Sequence, residues 1–404
     1  MPHGHTDHHD DAFEVPLRTR RLLTTAAVAL AVLTAVGVFL LRPGDPEGRP
    51  DIARLGATSE FYDAKVVDVD PNGCVGSADA SQLCDRVAFE LQSGPDKGTT
   101  VGLDFPLSVS TPEFDLGDEV VLSYAADAEP GFQYQFSDRQ RKPVLLWLAA
   151  LFAIAVVVLG RLRGMAALVG LAASVVVLLA YVLPAIIDGR SPIWVAVTGA
   201  AVISFLALYM AHGLRPMTTV ALLGTLGSLS LTAVLAVVFT ALADFSGFAS
   251  EEAIFLQAAG GTIDLNGLTL AGVVIGALGA LDDMTVTQAS AVWELRAANP
   301  EMGNLQLMRS GLRIGRDHVA STVNTLVLAY AGASMPLMVL FVLSRQSLTN
   351  VANSEVVATE IVRTLVGSIG LVAAVPITTW LAVTVAGRNE PAPEIVDAAN
   401  ESDD

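Results

Sequence analysis

The sequence predicts a mainly α-helical membrane protein: a polytopic bundle of about eight transmembrane helices, with one small β-rich extracytoplasmic domain inserted after the first. Three observations predict it. The 404-residue chain is 52% hydrophobic and only 16% charged, a composition foreign to soluble domains. Its apolar residues fall in long unbroken stretches, each near the roughly 20 residues that a helix needs to cross the hydrocarbon layer. Between the first two stretches the composition changes to that of a water-soluble domain.

Residues 1–21 form a polar tail ending in Arg18, Arg20 and Arg21. Residues 22–41 carry no charge and read as the first span, a signal anchor rather than a cleaved signal, because the run continues through Val38-Phe39-Leu40-Leu41 into Arg42-Pro43 with no small-residue cleavage site. Residues 42–143 form the β-rich domain. Ala64 to Val69, Arg86 to Leu91 and Glu119 to Tyr124 read as short strands. Asp70-Pro71-Asn72-Gly73, Ser93-Gly94-Pro95-Asp96 and Leu116-Gly117-Asp118 read as turns. Short strands in a segment of this length suggest an OB-like barrel or a sandwich. The only two cysteines, Cys74 and Cys84, lie here. A lone close pair outside the cytoplasm favours a disulfide over two free thiols.

The bundle occupies residues 144–387, with further spans at Val144 to Gly160, Met165 to Ile187, Ile193 to His212, Met217 to Ala243, Leu268 to Leu295, His318 to Leu343 and Ile361 to Ala386. An acidic tail, 388–404, follows. With the amino terminus inside, the inner loops hold Arg161, Arg163, Arg215, Arg296, Arg309, Arg313 and Arg316, while Arg190 and Arg345 are the outer exceptions. Positive-inside asymmetry therefore places both termini in the cytoplasm and the β domain outside. Leu305 to Asp317 reads as a basic helix at the inner membrane surface. The triplet Gly-Leu-Arg occurs at 213–215 and 311–313, too short a match to establish a repeat.

The net charge of −18 argues against a nucleic-acid partner. The lipid bilayer is the one partner the composition demands, and a homo-oligomer is compatible with it. No P-loop, Rossmann glycine fingerprint, G-x-S-x-G elbow or H-E-x-x-H stands in a plausible context, so the sequence predicts neither enzyme nor cofactor.

Asp282 and Asp283 stand midway along a span, where a charge costs a few kcal/mol to insert. At about 100° per residue, Asp283, Thr287, Ser290 and Glu294 share one helix face and Asp282 points about a quarter turn away. The alternative is a hydrated pair near an interface. The next span opens with Asp317-His318 and continues through Ser321, Asn324 and Thr325 on one face. That stripe could complete a solute or ion pathway with the first, or serve only as interhelical glue. Gly272, Gly276 and Gly279 allow a neighbouring helix close to the acids, whereas the hydroxyls from Thr218 to Thr232 read as packing. His3, His5, His8 and His9 could bind a divalent metal weakly, although they lack the fixed spacing of a structural site.

The signal anchor, the β-rich domain, Phe136 to Pro143 and the later helices together resemble the YibE/F-like family. The strongest matches are Gly276 to Pro300, with Leu281-Asp282-Asp283 and Val292-Trp293-Glu294-Leu295, and Arg309 to Pro336, with Ile314-Gly315-Arg316-Asp317 and Asn324-Thr325-Leu326. The resemblance implies a multipass protein of the bacterial cell membrane and suggests transport. Two functions follow as expectations. The first is a transporter of an ion or small solute, coupled to protonation or cation binding at Asp282 or Asp283, with Asp283, on the face of Thr287 and Ser290, expected to be the more sensitive. The second is a membrane-anchored sensor or assembly protein whose outer β domain binds a partner without transport.

Overall fold

The computed structural model describes residues 15–44, 60–71, 84–106, 112–129, 131–249, 251–258, 263–345 and 347–386. His3, His5, His8, His9, Cys74 and the tail 388–404 lie outside the described residues. The chain divides into two compact units, Asp51–Leu159 and Met1–Pro50 with Gly160–Asp404.

Among the described residues the first unit contains five strands: β1 (Glu60–Asp70), β2 (Cys84–Leu91), β3 (Thr100–Pro106), β4 (Glu119–Tyr124) and β5 (Tyr134–Arg139). They make one antiparallel sheet in the order β3-β2-β1-β4-β5. Alternation sets the buried face, because successive side chains point to opposite sides of a strand. Val87, Phe89 and Leu91 of β2 are buried with Ala64 and Val66 of β1 and Val120 and Leu122 of β4. Register shifts between Val66 and Asp68 and between Val121 and Leu122 bend the sheet as bulges do. It curls until the edge strands approach each other, with the rings of Phe105 on β3 and Phe136 on β5 6.0 Å apart and Phe114 packed against both. The Tyr134 hydroxyl donates to Asp96 at 2.8 Å. Burial, reinforced by that hydrogen bond, pushes the phenol above its usual range. Sequence alternation alone marks β1, β2 and β4; β5 occupies part of the segment read as the approach to the second span.

Helix α2 (Lys142–Val177) starts in this unit. With the π-helical turn Leu178–Val182 and α3 (Leu183–Ile187), the helical run reaches 46 residues, or about 69 Å at 1.5 Å per residue. That is more than twice the roughly 30 Å of hydrocarbon. Arg161 interrupts it with φ 51° and ψ −129°, a conformation that L residues rarely adopt. The interruption falls where the arginines predict a loop between spans.

In the second unit, α1 (Leu17–Leu40) packs against α4 (Pro192–His212) and α5 (Pro216–Leu242). A short α6 (Glu251–Ala258) leads to α7 (Leu265–Ala298), α8 (Asn304–Ala333), α9 (Met335–Leu343), α10 (Leu348–Asn353) and α11 (Glu355–Val385). The centre is the triangle of α5, α7 and α11, with α4 against α7 and α8 against α7 and α11. Helices α5 and α11 run antiparallel and interlock reciprocally. Thr378 of α11 lies over Gly224 of α5, and Thr232 of α5 lies over Gly370 of α11, each in space that a Cβ on the glycine would need. Small residues bring backbones close enough for dispersion contacts where no hydrophobic drive exists between helices.

Both ends of the unit are stitched by polar contacts. Glu355, in the first turn of α11, accepts from the Ser246 and Gly247 amides at 2.9 and 2.8 Å and from the Ser246 hydroxyl at 2.7 Å. At the other end Arg296, 3% exposed, donates to the Pro300 and Met302 carbonyls at 3.2 and 2.7 Å and to Asn304 at 2.9 Å. These bonds fix the connection between α7 and α8. The expected inner-surface basic helix is not a separate element. It is the first half of α8, with Leu307, Gly311 and Gly315 buried, because its two glycines let α7 and α11 approach.

Among the described residues six helices are long and apolar enough to cross a membrane, and the pair α8–α9, bent by 62°, makes a seventh if it is one span.

Candidate functional site

Helix α7 carries both in-span acids, and the structure gives them different surroundings. Asp282 is half-buried beside Leu281 and Met284, which are almost wholly buried, while Asp283 is exposed. The Ser204 hydroxyl of α4 donates to Asp282 Oδ1 at 3.2 Å. Thr225 of α5 interacts with the same carboxyl group and lies 2.6 Å, hydroxyl to hydroxyl, from Thr285 of α7. The Thr285 hydroxyl in turn reaches the Asp282 carbonyl at 3.1 Å. Ser204, Thr225 and Thr285 are fully buried. Hydroxyls from two helices, Ser204 of α4 and Thr225 of α5, thus meet the carboxyl group that α7 carries, and Thr285 ties Thr225 to the Asp282 backbone carbonyl. Among the described residues no Lys, Arg or His forms an ion pair with it.

Hydroxyls suit such a group because each can donate or accept by rotating. The ionised carboxylate needs donors, and the neutral acid needs an acceptor for its own proton. Ser204 and Thr225 can serve either state by rotating their hydroxyls, without moving backbone.

The remaining expected site residues are not drawn together. Thr287 and Ser290 are half-buried, and Glu294, Asp317, Ser321, Asn324 and Thr325 are exposed. The Thr325 hydroxyl donates to the Ser321 carbonyl of its own helix at 3.0 Å. Among the described residues no hydrogen bond joins the α8 stripe to the α7 acids. No group of three or more His, Cys, Asp or Glu side chains among the described residues is arranged to hold a metal ion.

Sequence reasoning missed three polar groups. Ser204 carried no local signal in its apolar span. Gln288, 1% exposed on α7, donates to the Gly311 carbonyl at 2.9 Å and the Thr379 hydroxyl at 2.7 Å, and its Oε1 has no hydrogen-bond partner. Glu360 and Arg363 on α11 form a half-buried ion pair at 2.7 Å. Arg363 also approaches Gly272 of α7, and the Tyr330 hydroxyl of α8 approaches Gly276. The spacing of Glu360 and Arg363, one helical turn apart at the start of a span, was the signal that could have found them.

Among known proteins, no curated protein and no solved structure matches the chain. A family model described as YibE/F-like protein matches residues 148–388, a segment holding α4 to α11 and every member of the Asp282 cluster. The match covers more than half of the sequence, and the chain belongs to the YibE/F-like family.

Proposed function

We propose that the protein is a membrane transporter of an ion or small solute, and not an enzyme, with reversible binding of a proton or cation at Asp282 as its coupling event. One observation carries the reading: a carboxyl group in an apolar helix seam, without a basic partner among the described residues, met by hydroxyls from two neighbouring helices. A purely structural acid at such depth would be expected to sit in an ion pair, because an uncompensated charge there is expensive. A group that gains and loses charge in a cycle must instead be tolerated in both states.

The topology that accompanies this reading has about eight spans, with α2 divided at Arg161 and α8–α9 counted as one. Both termini are cytoplasmic, as the arginine distribution supports. The curled sheet is extracytoplasmic and OB-like. Its strand order and the approach of β3 to β5 support that reading. Exposed Phe61, Leu116 and Phe132 on the sheet unit favour a second reading, in which this domain binds a partner and the helices anchor it.

Reconstitution into proteoliposomes tests the proposal. Wild-type protein is expected to dissipate at least one imposed gradient of protons, cations or small solutes in a pH-dependent way. Asp282→Asn is expected to insert normally and reduce that flux to background. An Asp282→Asn variant that matches wild type in every gradient, and complements a deletion strain, would leave only the partner-binding reading.

A further inference from the structure

We infer that the exposed face of α8 is a homodimer interface, on which a second copy of the chain lays its own α8 so that Asn324 hydrogen-bonds Asn324 of the partner subunit. Beyond Arg316, α8 has two faces. Val319, Thr322, Val323, Leu326 and Tyr330 are half-buried against the bundle. Asp317, Ser321, Asn324, Leu328 and Gly332 are exposed at helical spacing. The outer face is therefore polar as far as Asn324 and Thr325, where a lipid-facing surface should be apolar, and turns apolar at Val327 and Leu328.

Asn324 decides what can cover it. The Thr322 and Thr325 hydroxyls bond their own helix at the His318 and Ser321 carbonyls, 2.9 and 3.0 Å away, so they demand nothing from a neighbour. An asparagine amide carries two donor hydrogens and an acceptor. Asn324 is exposed and has no hydrogen-bond partner among the described residues. In the proposed topology, in which α8–α9 is one span, it lies within the membrane, six residues or about 9 Å along the helix beyond His318. Lipid tails cannot satisfy it. Nor can the apolar helix Pro143 to Leu159, whose only side chain able to form a hydrogen bond is Trp147.

A second α8 can satisfy it. Across a two-fold axis each amide donates to the other's carbonyl, so the group is its own complement and the contact occurs twice. Ser321 and Gly332 on the same stripe are small, and a Cβ at Gly332 would meet nothing within 4 Å. They leave room for the close backbone approach that membrane helix pairs favour. The α8 stripe then has a role that does not involve the Asp282 cluster.

Oxidative cross-linking of single-cysteine variants of the full chain in native membranes tests the interface. Ser321→Cys, Asn324→Cys and Leu328→Cys are expected to give covalent dimers above the wild-type background, and bundle-facing Val323→Cys and Leu326→Cys are not. In mild detergent Asn324→Leu should weaken dimerisation by about tenfold, the equivalent of an interhelical hydrogen bond of 1–2 kcal/mol, while Asn324→Gln retains it. A monomer at all concentrations with no dimer from any of the five variants would overturn the inference. So would cross-linking of Asn324→Cys to a cysteine at Ala150 of the same chain in place of its partner.

Discussion

Asp282 and Asp283 are neighbours in the sequence with opposite surroundings, because each helical residue turns the chain by about 100°. The side chain that meets Ser204 and Thr225 is Asp282, whereas its neighbour shares the outward stripe with Glu294. A carboxylate held by protein hydroxyls loses its partners' geometry when changed to an amide, and an exposed one does not. Asp283→Asn is therefore expected to keep transport within about twofold of wild type, the ordinary range for exposed substitutions, while Asp282→Asn abolishes it. Parallel flux measurements on both variants, normalised to membrane content, check the contrast. Loss in Asp283→Asn with retention in Asp282→Asn would reverse the assignment. That both acids belong to a site was legible from two charges in an apolar run. The stripe through Thr287 and Ser290 favours Asp283 as the more sensitive acid, whereas Ser204 and Thr225 reach Asp282 from helices distant in sequence.

Helix packing in the second unit rests on glycines that receive side chains from a neighbour. At Gly315 of α8 a Cβ would collide with Val375 of α11 and stand 2.7 Å from Gln288 Oε1. Gly279 of α7 has nothing within 4 Å of the same position. Gly315→Ala is expected to destabilise the protein by ~1–3 kcal/mol through overpacking. Gly279→Ala should be neutral or slightly stabilising, since alanine is the better helix former. Thermal unfolding of both variants in detergent, where Gly315→Ala should melt several degrees lower, checks the pair. Equal melting temperatures would contradict the close approach of α8 to α11. At this scale the sequence revealed the helices but not their contacts. Arg296 reads as a loop charge for the inner surface, yet it is buried and holds the α7–α8 connection through two carbonyls and Asn304. The two Gly-Leu-Arg triplets also differ. The first breaks the chain before α5, with Gly213 at φ 74°, and the second lies inside α8.

Over the whole chain, the family match begins at residue 148, so it covers α4 to α11 and leaves α1 and the five-stranded sheet to be argued from their own residues. The two units obey different solvent rules. The sheet buries alternate residues against its own core in water, as Phe89 and Leu122 show, and the helices satisfy their backbones internally, as lipid requires. A β domain between a signal anchor and the second span is exported whenever the amino terminus stays inside, the orientation that the proposed function adopts from the distribution of arginines. In the proposed topology Cys84, at the start of β2, would lie in an oxidising compartment together with Cys74, and a lone pair so close in sequence is expected to form a disulfide there. Denaturing the protein without reductant and adding a thiol reagent should therefore label neither cysteine, and labelling should appear only after reduction. A membrane-impermeant reagent should meanwhile reach a cysteine placed at exposed Arg309 of α8 only once the cytoplasmic face is opened. Two cysteines labelled without reduction would remove the bond. If Arg309→Cys were also labelled from outside intact cells, the orientation would be inverted and the sheet would lie in the cytoplasm.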